Sequence, residues 1–289
     1  MIIVQLTGGL GNQLFQYAIG RTLAVMNNTQ LKIDLSFFET YEWHEYSLAP
    51  FSIEAKVATV EEVNTLTKLE TSFLEKVRRK LFGVLPIIIK EKGLNYNSYY
   101  LKAGSNAYLK GYWQSSKYFL SQEMKIRKEF EIKLPPSSSN TKLLNEIMGC
   151  ESVSLHIRRG NYASIEAVNK FHGTTKMSYY SQAMVVIESR CENPVYFIFS
   201  DDIGWARENL RLTREHVFVD INTDKTDYED LRLMKSCKHS IVANSTFSWW
   251  GAWLNPNPDK IVIAPKQWFA NEEMNQQTND LIPAEWIRL

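Results

Sequence analysis

The sequence is poor in cysteine, and its charges balance. Its three cysteines, Cys150, Cys191 and Cys237, are widely spaced and form no CxxC or Cys/His ligand pattern. This argues against a disulfide framework and a zinc site of the usual spacing, so we expect reduced core thiols. With 33 Lys and Arg residues against 32 Asp and Glu residues, the net charge is +1. The chain as a whole therefore does not attract nucleic acid, and a bound anion requires a local site.

Long apolar runs are also missing. No stretch approaches the ~18 apolar residues that a membrane-spanning helix requires. The first residues, MIIVQLTGGLGNQ, lack the charged, apolar and small-residue segments of a signal peptide. These absences predict a cytoplasmic protein.

What the sequence does contain is a regular alternation of apolar strands and helical stretches. Residues 1–35 predict a βαβ unit, and strand and helix signals alternate again from VSLHI at 153–157 to KIVIA at 260–264. Continuous apolar strands such as VYFIF are typical of a sheet that is covered on both faces. We therefore expect an α/β fold built from doubly wound sheets.

A proline- and serine-rich stretch, LPPSSSNT at 134–141, is the best linker signal in the chain. Together with the length of 289 residues, it predicts two domains, 1–135 and 142–289. We expect the last segment of the chain to pack back on the first domain.

Residues 60–84 form an amphipathic stretch that predicts one helix. The residues expected on its buried face are Leu66, Leu69 or Glu70, Phe73, Val77 and Leu81. Its end is basic, with Lys76, Arg78, Arg79 and Lys80. A solvated end is the favoured interpretation, because cations suit a helix C-terminus. Peripheral contact with anionic lipid, or with a lipid-linked acceptor at the inner face of the membrane, is the alternative.

Polar side chains follow several of the predicted strands. They are Arg158 and Arg159 after VSLHI, Asp201 and Asp202 after VYFIF, and Asn244, Ser245 and Thr246 after SIVA. In open α/β sheets, ligands bind beyond the carboxyl ends of the strands. An arginine there is suited to clamping a pyrophosphate, although surface ion pairs with nearby acids are an alternative role for both arginines.

The NST turn precedes a helical stretch, FSWWGAWL. Free backbone N–H groups and hydroxyls at a helix N-terminus favour bound anions, whereas simple N-capping by Ser245 or Thr246 is the plainer interpretation. An arginine clamp that faces a helix N-terminus is suited to a nucleoside diphosphate. Asp201 and Asp202 could bind the ribose or order the loop.

Two further polar groups are candidates. TGGLGNQ at 7–13 places Asn12 and Gln13 at a helix start, but it matches neither the dinucleotide fingerprint nor the P-loop. Asp230 could accept the N1–H and N2–H of guanine, which adenine does not offer. Acidic residues in a first helical turn more commonly favour the helix dipole.

Five stretches in consistent order resemble the α1,2-fucosyltransferases of glycosyltransferase family eleven. They are GGLGNQLFQYAIGR, GYWQSSKYF, HIRRGNY, FIFSDD and NSTFSWWGAWL. The resemblance implies a GT-B-like pair of Rossmann-type domains that face each other across a cleft. It also implies an inverting, metal-independent transfer of L-fucose from GDP-fucose to the 2-hydroxyl of a terminal galactose, without a cofactor.

The resemblance also implies roles for individual residues. Arg158 matches the arginine that clamps the pyrophosphate and is the expected catalytic residue. The other matches to donor-binding positions are His156, Arg159, Asp230, Ser245, Thr246, Asn12 and Gln13. Asn244, in the same turn as Ser245, is a further candidate for contact with the donor. For the acceptor, the sequence offers Trp113, Trp249 and Trp250 as stacking surfaces, with core packing as the alternative for the Trp249–Trp250 pair.

One position departs from the family. Where the usual run is HxRRGD, this chain has Asn161, and an amide cannot act as a general base near neutral pH. We expect Asn161 to orient the donor or to serve the structure. The departure keeps open a second function, a glycan- or GDP-sugar-binding protein with an impaired transferase site. A nucleotide-dependent oxidoreductase is disfavoured, because GGLGNQ lacks the dinucleotide glycine spacing.

Overall fold

The computed structural model describes residues 1–41, 43–83, 85–160, 170 and 173–289, without the side chains of Glu75, Lys76, Arg78 and Arg79. The chain divides into two compact units. Unit 1 comprises Met1–Lys133 and Asn279–Leu281, and unit 2 comprises Leu134–Thr278 and Ile282–Leu289.

Unit 1 is built on a parallel sheet in the order β3-β2-β1-β5-β4. Its strands are β1 Ile2–Gln5, β2 Leu31–Asp34, β3 Lys56–Val57, β4 Ile88–Lys90 and β5 Ala107–Lys110. Its helices are α1 Leu10–Met26, α2 Val60–Thr71, α3 Phe73–Phe82 and α4 Glu123–Glu129, with 3-10 turns at Ser36–Glu39, Ser98–Lys102, Ser116–Tyr118 and Leu120–Gln122. The predicted βαβ unit of residues 1–35 is confirmed.

Helix α1 packs closely on the sheet through Gly20. A Cβ atom at this position would lie 3.0 Å from Val4 Cγ1 and 2.9 Å from Leu31 Cδ1. Since such contacts leave no room for a side chain, a glycine is needed where the helix crosses β1 and β2.

Unit 2 is built on a second parallel sheet, in the order β11-β10-β9-β6-β7-β8. Its strands are β6 Glu151–Ile157, β7 Pro194–Ser200, β8 His216–Phe218, β9 His239–Ile241, β10 Val262–Ala264 and β11 Ile287–Arg288. Its helices are α5 Ser138–Met148, α6 Met177–Glu188, α7 Ile203–Asn209, α8 Asp227–Ser236, α9 Thr246–Leu254 and α10 Glu272–Asn275, with a 3-10 turn at Asp224–Thr226. This order is that of a Rossmann-type domain.

Helices cover both faces of the unit 2 sheet. On one face, Leu155 and Ile198 pack with Ile187 of α6. On the other, Phe197 packs with Ile147 of α5 and with residues of α8. Because each face of β7 is apolar, the strand reads as a continuous hydrophobic run, as predicted. The expected α/β class with doubly wound sheets is confirmed.

The prediction for residues 60–84 was wrong in two respects. The stretch forms two helices, α2 and α3, which are separated at Ser72. Of the five predicted core positions, Leu66 is buried, whereas Phe73 and Leu81 are 77% and 69% exposed. The helical period was correct, but a period does not state whether its apolar face is covered.

Two other segments differ from the sequence-based expectation. Ser137 accepts a hydrogen bond from the backbone N–H of Asn140 and so caps α5, which begins inside the serine-rich stretch. Helix α6 and strand β11 were not predicted. Among the described residues, no helix has the length and apolarity that a membrane crossing requires.

Candidate functional site

The carboxyl edge of the unit 2 sheet has a topological switch point between β6 and β9. From β6 the chain proceeds to β7 and β8 on one side, and from β9 it proceeds to β10 and β11 on the other. Ligands of doubly wound sheets bind in the crevice that this reversal opens. Since Leu155 of β6 lies opposite Ile241 of β9, the segments 158–160 and 242–246 leave the sheet side by side.

Arg158 lies at this edge and pairs with an acid from the neighbouring strand. Its Nη1 atom is 2.9 Å from Oδ2 of Asp201, which follows β7. The other oxygen of Asp201 accepts a hydrogen bond of 2.8 Å from the Arg159 backbone N–H. The ion-pair interpretation of Arg158 is therefore realised at the carboxyl edge of the sheet.

Gly160 is required by the same contact. A Cβ atom there would lie 2.3 Å from Oδ2 of Asp201. Any larger residue would displace the carboxylate that holds Arg158. The sequence alone does not reveal that Asp201 is the reason why position 160 requires glycine.

Arg159 and Asp202 are tied to helix α7. The Arg159 guanidinium stacks 3.7 Å from the ring centroid of Trp205, and its Nε is 3.7 Å from Asp202 Oδ2. The same carboxylate caps α7 by accepting a hydrogen bond of 3.1 Å from the Trp205 backbone N–H. These contacts order the loop after β7, which was one of the roles considered for Asp202.

His156 is buried in β6 next to the switch point. Its ring centroid lies 5.7 Å from that of Phe247 in α9, so the end of β6 and the start of α9 are in contact. Burial, reinforced by the charge of Arg158, lowers the pKa of His156 to about 3. Within the described residues its Nδ1 atom has no hydrogen-bond partner. The imidazole is therefore neutral at physiological pH, with an unused buried nitrogen.

The NST turn leads into α9 as the sequence predicts. Ser245 caps the helix by accepting a hydrogen bond of 3.3 Å from the Phe247 backbone N–H, and Thr246 is the first helical residue. Asn244 differs from Ser245 and Thr246, because its side-chain amide is hydrogen-bonded to three other residues of the protein. It accepts from Thr175 Oγ1 and donates to the carbonyls of Gly173 and Trp268 at 2.9, 3.2 and 3.1 Å. The prediction that Asn244 contacts the donor is corrected: it anchors the turn.

Asp230 belongs to a polar network beyond the end of β8. Its carboxylate accepts a hydrogen bond of 2.7 Å from Asn222 Nδ2, and Asn222 exchanges hydrogen bonds with Asn140 of α5. Burial raises the pKa of Asp230 to about 6. Burial, together with repulsion from Asp230 and Asp224, raises the pKa of Asp227 to about 7. Asn140 and Asn222 were missed, although Asn222 follows a strand end like the residues that were found.

In unit 1, the two amides predicted for ligand binding have different positions. Gln13 is fully buried, donates to the carbonyls of Gly8 and Glu45, and accepts from the Ser47 backbone N–H. Its amide is fully used, so its predicted role in binding is corrected to that of a loop brace. Asn12 is half-buried and accepts a hydrogen bond of 3.0 Å from Gln114 Nε2.

The tryptophans proposed for acceptor stacking are core residues. Trp113, Trp249 and Trp250 are fully buried. Trp249 and Trp250 pack edge to face at 5.0 Å, and Trp113 packs against Tyr118 at 5.7 Å. With no ring face open to solvent, the predicted acceptor contacts are corrected, and core packing explains the Trp249–Trp250 pair. Asn161 lies outside the described residues.

One cluster elsewhere carries metal-ligand atoms. Glu151, Cys191 and His239 place theirs within 4.8 Å of one another near the amino ends of β6 and β9. His239 Nδ1 accepts from the Ile261 backbone N–H at 3.0 Å, so Nε2 carries the ring proton towards Glu151 Oε1, 2.8 Å away. A metal at Nε2 would require the opposite tautomer, so hydrogen bonding accounts for the contact between His239 and Glu151.

Comparison with known proteins adds to this geometry. The α-1,2-colitosyltransferase of Escherichia coli is 33% identical over 302 residues, covering 100% of this chain and 99% of that protein. The O-antigen biosynthesis glycosyltransferase WbnK of Escherichia coli is 34% identical over 98% of this chain and 99% of its own. Human galactoside α-(1,2)-fucosyltransferase 1 is 30% identical over 35% of this chain and 28% of its own.

The family model described as glycosyl transferase family 11 matches residues 1–289. This match and the full-length relatives agree with the order of the five sequence stretches, and they exclude the oxidoreductase interpretation. The chain is a glycosyltransferase that belongs to glycosyl transferase family 11.

Proposed function

We propose that the chain transfers L-fucose from GDP-fucose to the 2-hydroxyl of a terminal galactose in a glycan, with inversion at the anomeric carbon. The observation that carries the proposal is the convergence of Arg158 and the N-terminus of α9 at the switch point of unit 2. That pairing suits a diphosphate. The names of the colitosyl- and fucosyltransferase relatives, which share an α-1,2 linkage, support the regiochemistry.

The proposed chemistry concentrates on the leaving group. As the glycosidic bond breaks, positive charge develops on the sugar and negative charge on GDP. Arg158 and the N–H groups at the start of α9 interact more strongly with the departing diphosphate than with the ground state, which lowers the barrier. Asp201 holds the Arg158 guanidinium in place through its contact at 2.9 Å.

GDP is a good leaving group, so the acceptor hydroxyl needs little help from a base. The proposal therefore accommodates an amide at position 161. It also assigns the charge stabilisation to protein groups, so we propose that the transfer needs no metal ion.

Selection for guanine is assigned to Asp230. An ionised carboxylate can accept hydrogen bonds from N1–H and N2–H of guanine together. Its hydrogen bond from Asn222 Nδ2 fixes one oxygen and the direction of the group. In this proposal Asn140 and Asn222 are positioning residues, because they act through Asp230.

A transfer assay tests the function. GDP-fucose and GDP-colitose are supplied separately with a panel of β-galactosides, and both free GDP and the glycosylated product are measured. Fucosylated product is expected. Colitosylated product alone would overturn the choice of donor. Tight binding of GDP-fucose without any product would support the binding-protein alternative.

The Arg158→Ala variant tests the clamp. Loss of one group that stabilises the transition state typically lowers kcat by about 10²–10³. The matched control is Arg207→Ala, which removes an arginine from an exposed ion pair with Asp220 in the same unit. Normal turnover of Arg158→Ala, with Arg207→Ala also normal, would remove the clamp from the mechanism.

We propose that transfer takes place at the cytoplasmic face of an anionic membrane, through α3. Four apolar side chains of this helix, Phe73, Leu74, Leu81 and Phe82, are 69–80% exposed. The sequence FLEKVRRKLF carries four basic residues and one acidic residue. Exposed apolar surface with positive charge is typical of helices that lie in the membrane interface.

Flotation with vesicles tests this placement. Binding to phosphatidylglycerol vesicles is expected, with weaker binding to phosphatidylcholine vesicles. Leu74→Asp should release the protein, whereas Val185→Asp, at a residue that is 67% exposed in α6, should not. Equal flotation of both variants would overturn the role of α3.

A further inference from the structure

Unit 1 has its own switch point, and exposed aromatic rings gather near it. The order β3-β2-β1-β5-β4 reverses between β1 and β5, which opens a crevice beyond the carboxyl ends of these strands. The segments that leave this edge are the glycine loop after β1, residues 36–41 and 43–44 after β2 and residues 111–114 after β5. The exposed aromatic residues at this edge, Tyr41, Trp43 and Tyr112, do not belong to the site in unit 2.

Three rings in these segments are exposed rather than packed in the core. Tyr41, Trp43 and Tyr112 are 36%, 51% and 45% exposed. Large aromatic side chains gain stability from burial, so several exposed rings at one edge of a sheet indicate a surface that a ligand covers. Trp113, next to Tyr112, is fully buried, which is the usual position of a large aromatic side chain.

Tyr41 and His44 form a stacked pair over the glycine loop. Their ring centroids are 6.1 Å apart with planes 26° from parallel, and Phe37 packs against Tyr41 at 4.6 Å. A Cβ atom at Gly9 would lie 3.3 Å from His44 Cε1, so the imidazole lies against this glycine. The absence of a side chain at position 9 lets the pair approach the loop.

Tyr112 is held at the same edge by Glu91. The Glu91 carboxylate, which follows β4, accepts hydrogen bonds from the backbone N–H groups of Tyr112 and Trp113 at 2.6 and 3.0 Å. Trp113 has a left-handed backbone with φ of 57°, which costs energy for a bulky residue and directs the chain back towards α1. Partial burial, followed by electrostatic interaction with Tyr41 and Glu91, raises the pKa of Tyr112.

Polar groups border the rings. Gln114 Nε2 donates to Asn12 Oδ1 at 3.0 Å, which joins the β5 loop to the start of α1. Small-ligand sites typically combine aromatic surface with a few fixed polar groups in this way.

We infer that Tyr41, His44 and Tyr112, the aromatic shelf, bind the terminal β-galactoside of the acceptor. A galactopyranose presents a face of C–H groups that stacks on an aromatic ring, and its hydroxyls pair with phenol and amide groups. The shelf replaces the buried tryptophans as the acceptor surface. The identity of its ligand rests on the proposed function, but its binding can be measured without any transfer.

Direct binding tests the shelf. Saturation-transfer NMR with methyl β-galactoside on the full chain should show transfer to the sugar C–H protons. Tyr41→Ala and Tyr112→Ala should each weaken binding about tenfold, in the range of a single aromatic contact. Tyr112→Phe keeps the ring and should retain most of the binding. The matched control is Tyr99→Ala, at a tyrosine that is 43% exposed elsewhere in unit 1.

The transfer assay separates this inference from the proposed function. With a wild type that makes product, the shelf variants should raise the acceptor KM about tenfold while GDP affinity and kcat stay near normal. An unchanged KM, or sugar binding that survives both alanine substitutions, would overturn the shelf alone. Sugar binding without product would overturn the proposed function and leave the shelf supported. The absence of saturation transfer in the wild type would overturn the shelf.

Discussion

The Asp230→Asn substitution should weaken GDP binding in a manner that depends on pH. Burial raises the pKa of this carboxyl group to about 6, even though the hydrogen bond from Asn222 opposes the shift. Above pH 7 the group is ionised and can accept from both guanine donors. Below pH 6 it is mostly protonated, and each bound guanine must first displace that proton. Affinity of the wild type should therefore rise with pH through this range.

The magnitude follows from the charge on the acceptor. Hydrogen bonds to charged groups contribute ~1.5–3 kcal/mol, so the variant should bind GDP about 10–100-fold more weakly at pH 8. With a pKa of about 6, roughly one carboxyl group in eleven is ionised at pH 5. The ratio of the two dissociation constants should accordingly fall about tenfold between pH 8 and pH 5.

Isothermal titration calorimetry of both proteins at pH 5 and pH 8 measures this ratio. The second ionisation of the β-phosphate affects both proteins equally and cancels. Inosine diphosphate, which lacks the 2-amino group, should show a smaller ratio, and Asp220→Asn serves as an exposed acidic control in the same unit. A ratio that stays near one, or that does not change with pH, would refute the assignment of Asp230 to guanine.

Three further predictions concern stability and cofactor dependence. Asn244→Ala should lower the free energy of unfolding by ~2–4 kcal/mol because the buried Asn244 amide makes three hydrogen bonds that are lost, whereas Asn209→Ala on the surface should change it little. Equal denaturation midpoints would contradict this. Asp227 has a pKa raised to about 7, so its buried charge destabilises the fold as pH rises; Asp227→Asn should stabilise the protein by ~2–4 kcal/mol at pH 8 and hardly at pH 4. A larger increase in the melting temperature at pH 4 than at pH 8 would contradict this prediction. EDTA should leave the transfer rate unchanged, and a rate restored by added Mg²⁺ or Mn²⁺ would contradict metal independence.

The sequence was sufficient to predict which residues follow the strands of unit 2 and so lie at the carboxyl edge of its sheet. Buried parallel strands appear as apolar runs, and the first polar residue after each run marks the carboxyl edge of the sheet. Arg158, Asp201 and Ser245 were found by this rule, and the structure brings their segments together because β6 pairs with both β7 and β9. Local sequence defines both the strand and its end.

Which polar side chains remain available to a ligand could not be predicted in the same way. Gln13 follows a glycine-rich loop and Asn244 begins the NST turn, and the side-chain amide of each is hydrogen-bonded to residues distant in sequence, such as Glu45 and Trp268. The same limit applies to Trp249, which packs against Trp286, 37 residues later in the chain. Residue type and spacing do not specify such long-range partners.

The amphipathic stretch 60–84 shows the converse limit. Its period was read correctly, yet Phe73 and Leu81 are exposed. A helical stripe of apolar residues has the same spacing whether it faces a core or a lipid surface. The two cases differ in whether another helix or strand packs over the apolar stripe. Tertiary structure decides this, and local sequence does not show it.

The two switch points show that one topology can present different kinds of side chain at the edge of a sheet. A parallel sheet determines where a crevice forms, but the residues that follow its strands are not part of the sheet and are free to differ. In unit 2 these residues are Arg158 and the start of α9, which suit a charged diphosphate. In unit 1 they include Tyr41 and Tyr112, which suit the uncharged face of a sugar. If the proposed function and the aromatic shelf hold, substitutions at the edge of unit 2 should alter donor affinity and substitutions at the edge of unit 1 should alter acceptor affinity, one substrate at a time.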